Sequence, residues 1–153
     1  MFGPPQYEHT QTGWIHWLMY ALAAAMLCVF CLYPTHPAVR IQMPVMAVVF
    51  LLPAFLFRHL TVRDESERLA IEFGPLPLFR RRVPYAEMLG VGIGRTSFLN
   101  GWGIHYCDGG WLWNIAGYDC VVLELTEGRT LRIGTDEPEK LCEFLRSRLS
   151  ASR

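Results

Sequence analysis

Two hydrophobic patterns divide the chain. From Gly13 to Phe57 apolar residues are nearly continuous, and Arg40 is the only charged side chain. From His59 onward apolar and polar residues alternate with period two, in the segments HLTVR, RLAIEF, VVLEL and TLRI. The first pattern predicts membrane helices and the second predicts half-buried antiparallel strands. We therefore expect a tail (1–13), a two-helix transmembrane hairpin (14–57), a folded domain (58–150) and a short tail (151–153).

The apolar third is long enough for two spans. Trp14–Tyr33 is twenty uncharged residues, about 30 Å of helix, which matches the hydrocarbon thickness of a bilayer. Val39–Phe57 is interrupted by Pro44 and Pro53, and proline is tolerated in spans where neighbours restore the backbone bonds. The brief link PTHPA between the spans predicts an antiparallel hairpin. A cleaved signal peptide is the alternative, but no Lys or Arg precedes the first run.

Flanking charge predicts the orientation of this hairpin. Arg58, Arg63 and Arg68 follow the second span, whereas the link carries only Arg40 and the N-terminal tail carries no Lys or Arg. Because basic residues favour the cytoplasmic side, we expect a multi-pass protein of the inner (cytoplasmic) membrane with both termini in the cytoplasm.

The domain that follows combines strands with one helix. Turn signals such as Gly74-Pro75, Asn100-Gly101 and Glu127-Gly128 separate the strands and predict a meander. Asp136 is a candidate N-cap, and the apolar stripe of the last helix consists of Leu141, Phe144, Leu145 and Leu149. The expected fold is α+β and mainly β, with a bent antiparallel sheet or open barrel capped by the C-terminal helix.

About seven short strands and a C-terminal helix resemble the pleckstrin-homology-like fold. The segments FGPLPLFRRRVPY and IGTDEPEKL are similar to the second and third strands and to the strand-to-helix junction of bacterial pleckstrin-homology-like domains. Such domains are often attached to a two-span membrane hairpin. The resemblance covers roughly residues 60–150 and implies a fold more specifically than a function.

The segment NGWGIHYCDGGWLWNI, residues 100–115, predicts an aromatic hairpin. In an antiparallel hairpin the numbers of two directly opposed residues have a constant sum. Here that sum is 217 or 219, depending on which two residues form the turn. Side chains alternate between the two faces of a strand, so either register puts the same six side chains on one face. They are Trp102, Ile104, Tyr106, Trp111, Trp113 and Ile115. This face either lines the interior of the barrel or forms an exposed patch that docks on lipid headgroups or a partner subunit.

Arg80, Arg81 and Arg82 form the densest basic run. In a strand Arg80 and Arg82 face one way and Arg81 the other. The run is either a solvated strand edge, which discourages edge pairing, or a contact for anionic lipid or a partner's acidic loop.

The composition excludes some classes of function and points to no catalytic chemistry. From Arg58 onward thirteen basic and thirteen acidic residues balance, so the chain lacks the one-signed field that nucleic-acid binding requires. Cys28-x-x-Cys31 lies in an apolar run without a second pair. We predict no catalytic residues, no metal and no cofactor. A redox or metal enzyme would have to use Cys28, Cys31, His16, His105 or Cys107.

These patterns predict a non-enzymatic, membrane-anchored interaction module at the inner leaflet, which binds anionic lipid or a protein. Its expected partners are membrane lipid and a membrane protein or a second copy of the chain. The candidate contacts are Arg80, Arg81, Arg82, Trp102, Trp111 and Trp113. The alternative is an accessory or assembly subunit of a larger membrane complex, because the small residues of ALAAAM would pack well against other helices.

Overall fold

The structure, a computed structural model, describes residues 6–76, 78–97, 102–107 and 109–151. Within these ranges the helices are α1 (Ile15–Leu32), α2 (Pro37–Leu56) and α3 (Pro138–Ala151). The strands in chain order are β1 (Glu8–Thr12), β2 (His59–Asp64), β3 (Arg68–Phe73), β4 (Phe79–Pro84), β5 (Met88–Arg95), β6 (Gly103–Cys107), β7 (Gly110–Asn114), β8 (Asp119–Leu125) and β9 (Thr130–Gly134).

Helices α1 and α2 pack against each other and are each long and apolar enough to span a membrane. Their mean hydropathies are 2.1 and 1.9, and only 11% of each apolar window is buried inside the protein. A core helix of a soluble protein would be mostly buried, so these apolar side chains face outward. Pro44 and Pro53 lie inside α2 without dividing it, as the sequence predicts for a tolerated proline.

The first sheet has the order β1-β2-β3-β4 and is antiparallel throughout. The helical hairpin is inserted between its first two strands, since Thr12 pairs with His59 across the ladder. Strand β1 falls in the segment that the sequence analysis treats as a tail. Its sequence EHTQT contains no apolar residue, so the hydrophobic pattern carries no strand signal there.

The second sheet has the order β5-β8-β9-β7-β6. The expected meander is wrong for this sheet, because β7 pairs with β9 in parallel. Strands β5, β8 and β9 do form an antiparallel meander, and the β6–β7 hairpin is an insertion that docks on its free edge. No ladder joins the two sheets within the described ranges, so they are not closed into a barrel.

The core lies between the two sheets and α3. Its largest fully buried side chains include Phe73, Leu123 and Leu131, and α3 contributes Leu141 and Leu145. Phe144 and Leu149 pack partly buried against the same core, which confirms the predicted stripe.

Because α3 begins at Pro138, Asp136 precedes the N-cap position, and its carboxylate instead lies 2.6 Å from Nε2 of His9.

Strand β1 is held to α3 and β9 by side chains as well as by its ladder. The buried amide of Gln11 donates a 2.7 Å hydrogen bond to the carbonyl of Gly134 in β9. The Tyr7 ring stacks on Phe144 with centroids 5.2 Å apart. Burial, with the charges of Glu137 and Asp136, raises the pKa of Tyr7 to about 12. The segment before the helical hairpin is therefore an integral part of the folded domain.

Candidate functional site

At the helical end of the domain, where β1 and β2 meet α1 and α2, the end of α2 is tightly packed against the first sheet. The Phe57 ring, just after α2, lies 5.2 Å from the rings of both Phe73 and Phe79. The amide of Gly74 donates a 2.8 Å hydrogen bond to the carbonyl of His59. A Cβ on Gly74 would lie 2.1 Å from the Leu56 carbonyl oxygen. The end of α2 is thus seated directly on the turn that follows β3.

Three apolar side chains are exposed at this same end. Leu76 and Leu78 belong to the turn between β3 and β4, and Phe79 is the first residue of β4. All three side chains are exposed. They lie beside the C-terminal end of α2, since Phe79 stacks on Phe57. Exposed apolar side chains next to a membrane-type helix are suited to contact with the bilayer interface.

The three arginines of β4 divide between two faces, as the sequence predicts. Arg80 and Arg82 oppose Glu72 and Ala70 on the outer face of the first sheet, whereas Arg81 opposes the buried Ile71. Burial and the nearby charge of Arg129 lower the pKa of Arg81, and Glu87 opposes that shift.

Arg80 and Arg82 are engaged within the protein. Each donates to Glu65 at 2.9 Å, and Arg80 also contacts Glu72. Burial raises the pKa of Glu65, but the hydrogen bond from Arg82 and the charges of Arg82, Arg80 and Arg68 outweigh it and lower the pKa overall. The outer-face cluster therefore contains Arg63, Arg68, Arg80 and Arg82 around two glutamates, which leaves a modest positive excess.

The aromatic hairpin adopts the first of the two predicted registers. Ile104 opposes Trp113 and Tyr106 opposes Trp111, so the residue numbers sum to 217. The turn includes Asp108, which lies outside the described residues. The aromatic face is continuous with the core face of the sheet, because Trp113 lies beside Ile133 of β9.

The three candidate tryptophans occupy three different environments. Trp113 is 7% exposed and belongs to the core. Trp102 lies at the helical end, with its ring 6.2 Å from that of Trp14. Trp111 is 44% exposed and packs edge-on against the exposed Tyr106, with centroids 5.9 Å apart. Tyr106 is four residue steps beyond Trp102 along the chain, so this aromatic tip lies about 13 Å farther from the helices.

The cysteines are dispersed. All five thiols are free, and strands β9 and β7 separate Cys120 on β8 from Cys107 on β6. Burial raises the pKa of the Cys120 thiol despite the opposing charge of Arg132, which keeps it protonated at neutral pH. Within the described ranges no three His, Cys, Asp or Glu side chains converge as a metal site.

A buried polar cluster lies at the opposite end of the core from the helices. Asp64 is 4% exposed and accepts hydrogen bonds from the Tyr85 hydroxyl at 2.7 Å and from Arg148 at 2.5 Å. Burial raises the pKa of Asp64, but these bonds and those from the Gln6 and Ser66 amides lower it overall. Local sequence patterns do not predict this cluster, although Asp64 continues the inward alternation of Leu60 and Val62.

A cavity of about 520 Å³ separates the helices from the sheets at the helical end. Its walls come from α1, α2, β3, β6 and β7, and His16 on α1 is one of its few polar side chains. His16 is 6% exposed, and its Nδ1 is buried without a hydrogen-bond partner among the described residues. Among the residues that a redox or metal enzyme would have to use, His16 lines this cavity, and so does the candidate contact residue Trp102.

Comparison with known proteins adds no family to this description. No family model matches the chain, and no curated protein matches it significantly.

Proposed function

We propose that the chain is a membrane-anchored, non-enzymatic interaction module. In this proposal α1 and α2 span the cytoplasmic membrane and the two-sheet domain stands at the inner leaflet. The insertion of the helical hairpin between the paired strands β1 and β2 is the observation that supports it most strongly. Two adjacent strands connect the domain to the spans, so it would be held at a fixed height and orientation above the bilayer.

The proposed fold of this module is pleckstrin-homology-like. When the inserted β6–β7 hairpin is set aside, a four-stranded antiparallel sheet, a three-stranded antiparallel meander and a C-terminal helix remain. Their number, seven strands and one helix, agrees with the number expected for the bacterial domains that the sequence resembles. The count includes β1 from outside residues 60–150 and leaves out the aromatic hairpin from inside them. The helical hairpin and the aromatic hairpin would then be two elaborations of a common scaffold.

A protein partner is favoured over anionic lipid as the principal ligand. Glu65 and Glu72 already engage Arg80 and Arg82, so the four-arginine cluster offers lipid headgroups an excess of only two positive charges. Tyr106 and Trp111 are exposed on the side away from the helices, and large aromatic side chains are enriched in protein interfaces. Lipid contact would instead involve Leu76, Leu78 and Phe79.

Site-specific photocrosslinking in native membranes tests this division. A crosslinking amino acid at position 111 should give a discrete protein adduct, one at position 78 should give lipid adducts, and one at the exposed Glu143 on α3 should give neither. A protein adduct of equal yield at positions 111 and 143 would contradict a specific tip interface. Lipid adducts at position 111 would contradict the proposed orientation of the domain.

The accessory-subunit alternative has one supporting observation. Ala21, Ala24 and Ala25 are exposed on α1, and small residues allow close approach of another membrane helix. A native complex that dissociates when Ala24 and Ala25 are replaced by Leu, but persists when Trp111 is replaced by Ala, would favour this alternative.

A further inference from the structure

We infer that the cavity at the helical end binds a neutral, single-chain lipid whose head is a carbonyl or a hydroxyl group. His16 would hydrogen-bond the head, and the apolar walls would enclose the chain. The inference rests on the membrane placement proposed above, because such molecules are supplied by the bilayer.

The walls of the cavity are suited to a hydrocarbon chain. Ala54 and Phe57 contribute from α2 and its end, Trp102 and Ile104 from the β6 side of the aromatic hairpin, and Ile115 from the end of β7. A volume of about 520 Å³ falls within the range of about 300–1,000 Å³ that is typical of small-molecule sites. The inserted hairpin thus forms one wall of a site that the two sheets alone would not have.

His16 is the group that requires a ligand. Its ring contacts are aromatic, with Trp17 at 5.0 Å and Tyr20 at 5.9 Å between centroids. A buried polar nitrogen without a partner costs free energy, and native proteins usually satisfy such groups. Nδ1 is buried in the described ring orientation, so the head would reach it through a rotation of the imidazole. A hydroxyl would then satisfy Nδ1 in either tautomer, whereas a carbonyl would satisfy only a protonated Nδ1.

The rest of the lining favours a neutral head over a charged one. No Arg, Lys, Asp or Glu is among the described residues that line the cavity. The other buried polar side chain there, Asn114, is already engaged, since it donates to the Gly117 carbonyl at 3.1 Å and accepts from the Ala116 amide at 3.2 Å. A carboxylate or phosphate would lack a compensating cation, which makes its burial unfavourable.

The position of His16 matches the depth of such a head group. His16 lies in the first turn of α1, which begins at Ile15, whereas Met19 lines the same cavity one turn deeper in the span. In the proposed orientation the first turn is at the membrane interface, where the oxygen atoms of lipids are concentrated.

Photolabelling of the purified full chain in nanodiscs tests the inference. The probe is dodecanol carrying a diazirine, and the labelled residues are located by mass spectrometry. We expect labels on cavity residues such as Met19 and Ile115. Unlabelled dodecanol and a decyl-substituted benzoquinone should compete, and whichever competes more strongly identifies the head as hydroxyl or carbonyl. Dodecane and dodecanoate should compete at least fivefold less well.

Two variants with matched controls connect the label to the site. Ala54→Leu should reduce cavity labelling about tenfold by filling the cavity, whereas Ala24→Leu makes the same change at an exposed position and should have no effect. His16→Phe should weaken labelling about fivefold through the lost hydrogen bond, and His36→Phe in the exposed link should not. His16→Phe should also raise the unfolding temperature without ligand, because it removes an unsatisfied nitrogen.

Three results would overturn the inference: label spread over the outward faces of α1 and α2, label unaffected by Ala54→Leu, or equal competition by dodecane. A lower unfolding temperature for ligand-free His16→Phe would show that His16 has a structural partner and would also overturn it. None of these results would affect the membrane topology itself, which is measured separately, so failure of the cavity and failure of the anchor are distinguishable.

Discussion

Asp64 shows how one residue connects stability to pH. Its pKa is lowered in the folded protein from an ordinary value of 3.8. A carboxylate with a lowered folded pKa contributes stability that is fully present above its unfolded pKa and is lost as the pH falls through its folded pKa. The free energy of unfolding should therefore decline below about pH 4, as Asp64 takes up its proton and releases Arg148.

Replacement of Asp64 by Asn should destabilise the domain by about 2–4 kcal/mol, because Arg148 would lose its partner in a largely buried site. The variant should also show a shallower decline of stability in acid. Denaturant unfolding of the detergent-solubilised protein at several pH values measures both effects. Asp119→Asn at the exposed pair with Arg95 is the control, and an equal loss there would argue against a special role for Asp64.

Gly74 is a second residue whose identity is set by its surroundings. It combines a φ of +70° with a would-be Cβ only 2.1 Å from the Leu56 carbonyl oxygen. Gly109 has a similar φ of +77° but no atom within 4 Å of its Cβ position. Gly74→Ala should therefore cost about 3 kcal/mol or more, and Gly109→Ala about 1 kcal/mol. Equal costs would mean that α2 is not seated on this turn.

The aromatic hairpin is one element with two roles along its length. Trp113→Ala should destabilise the domain by about 3–5 kcal/mol, because the side chain fills the core. Trp111→Ala should cost about 1 kcal/mol or less, because the side chain is 44% exposed. Unfolding should be monitored by circular dichroism, because each variant loses a tryptophan and with it part of the fluorescence signal. A larger cost at Trp111 than at Trp113 would contradict the assignment of core and tip.

The elements with strong periodicity could be predicted from the sequence. The two apolar helices, the strand segments HLTVR and RLAIEF, and the stripe of α3 all follow from local pattern. Alternation along the aromatic hairpin predicts two possible registers, and the structure has the one in which Ile104 opposes Trp113. The arrangement of β7 beside β9 could not be predicted in this way, because turn chemistry describes only neighbouring strands.

The features that local sequence patterns do not predict are polar residues and long-range pairs. Strand β1 is polar throughout, so only its ladder with β2, across the helical hairpin, makes it a strand. Asp64 and Arg148 are 84 residues apart, and neither belongs to a local motif. His16 could be recognised as unusual inside an apolar run, but its cavity depends on five elements that meet only in the folded chain.

At the scale of the whole molecule, the proposed membrane anchor is built into the domain rather than tethered to it. Gly13, Trp14, Phe57 and Arg58 are the only residues between the helices and the strands β1 and β2. These connections leave little freedom for rotation between the spans and the sheets. The cavity, the apolar turn at Leu76 and Leu78 and the distal aromatic tip consequently have defined heights relative to the bilayer in the proposed orientation.

The most direct test of this account is the topology of the helical hairpin. A fluorescent reporter active in the cytoplasm and an alkaline phosphatase active only after export are fused, separately, after Arg153 and inserted after Thr35 in the link. We predict a fluorescent reporter and a silent phosphatase at Arg153, and the reverse at Thr35. Active phosphatase at Arg153 would place the domain outside the cytoplasm, and the same pattern at both sites would show that the hairpin does not span the membrane.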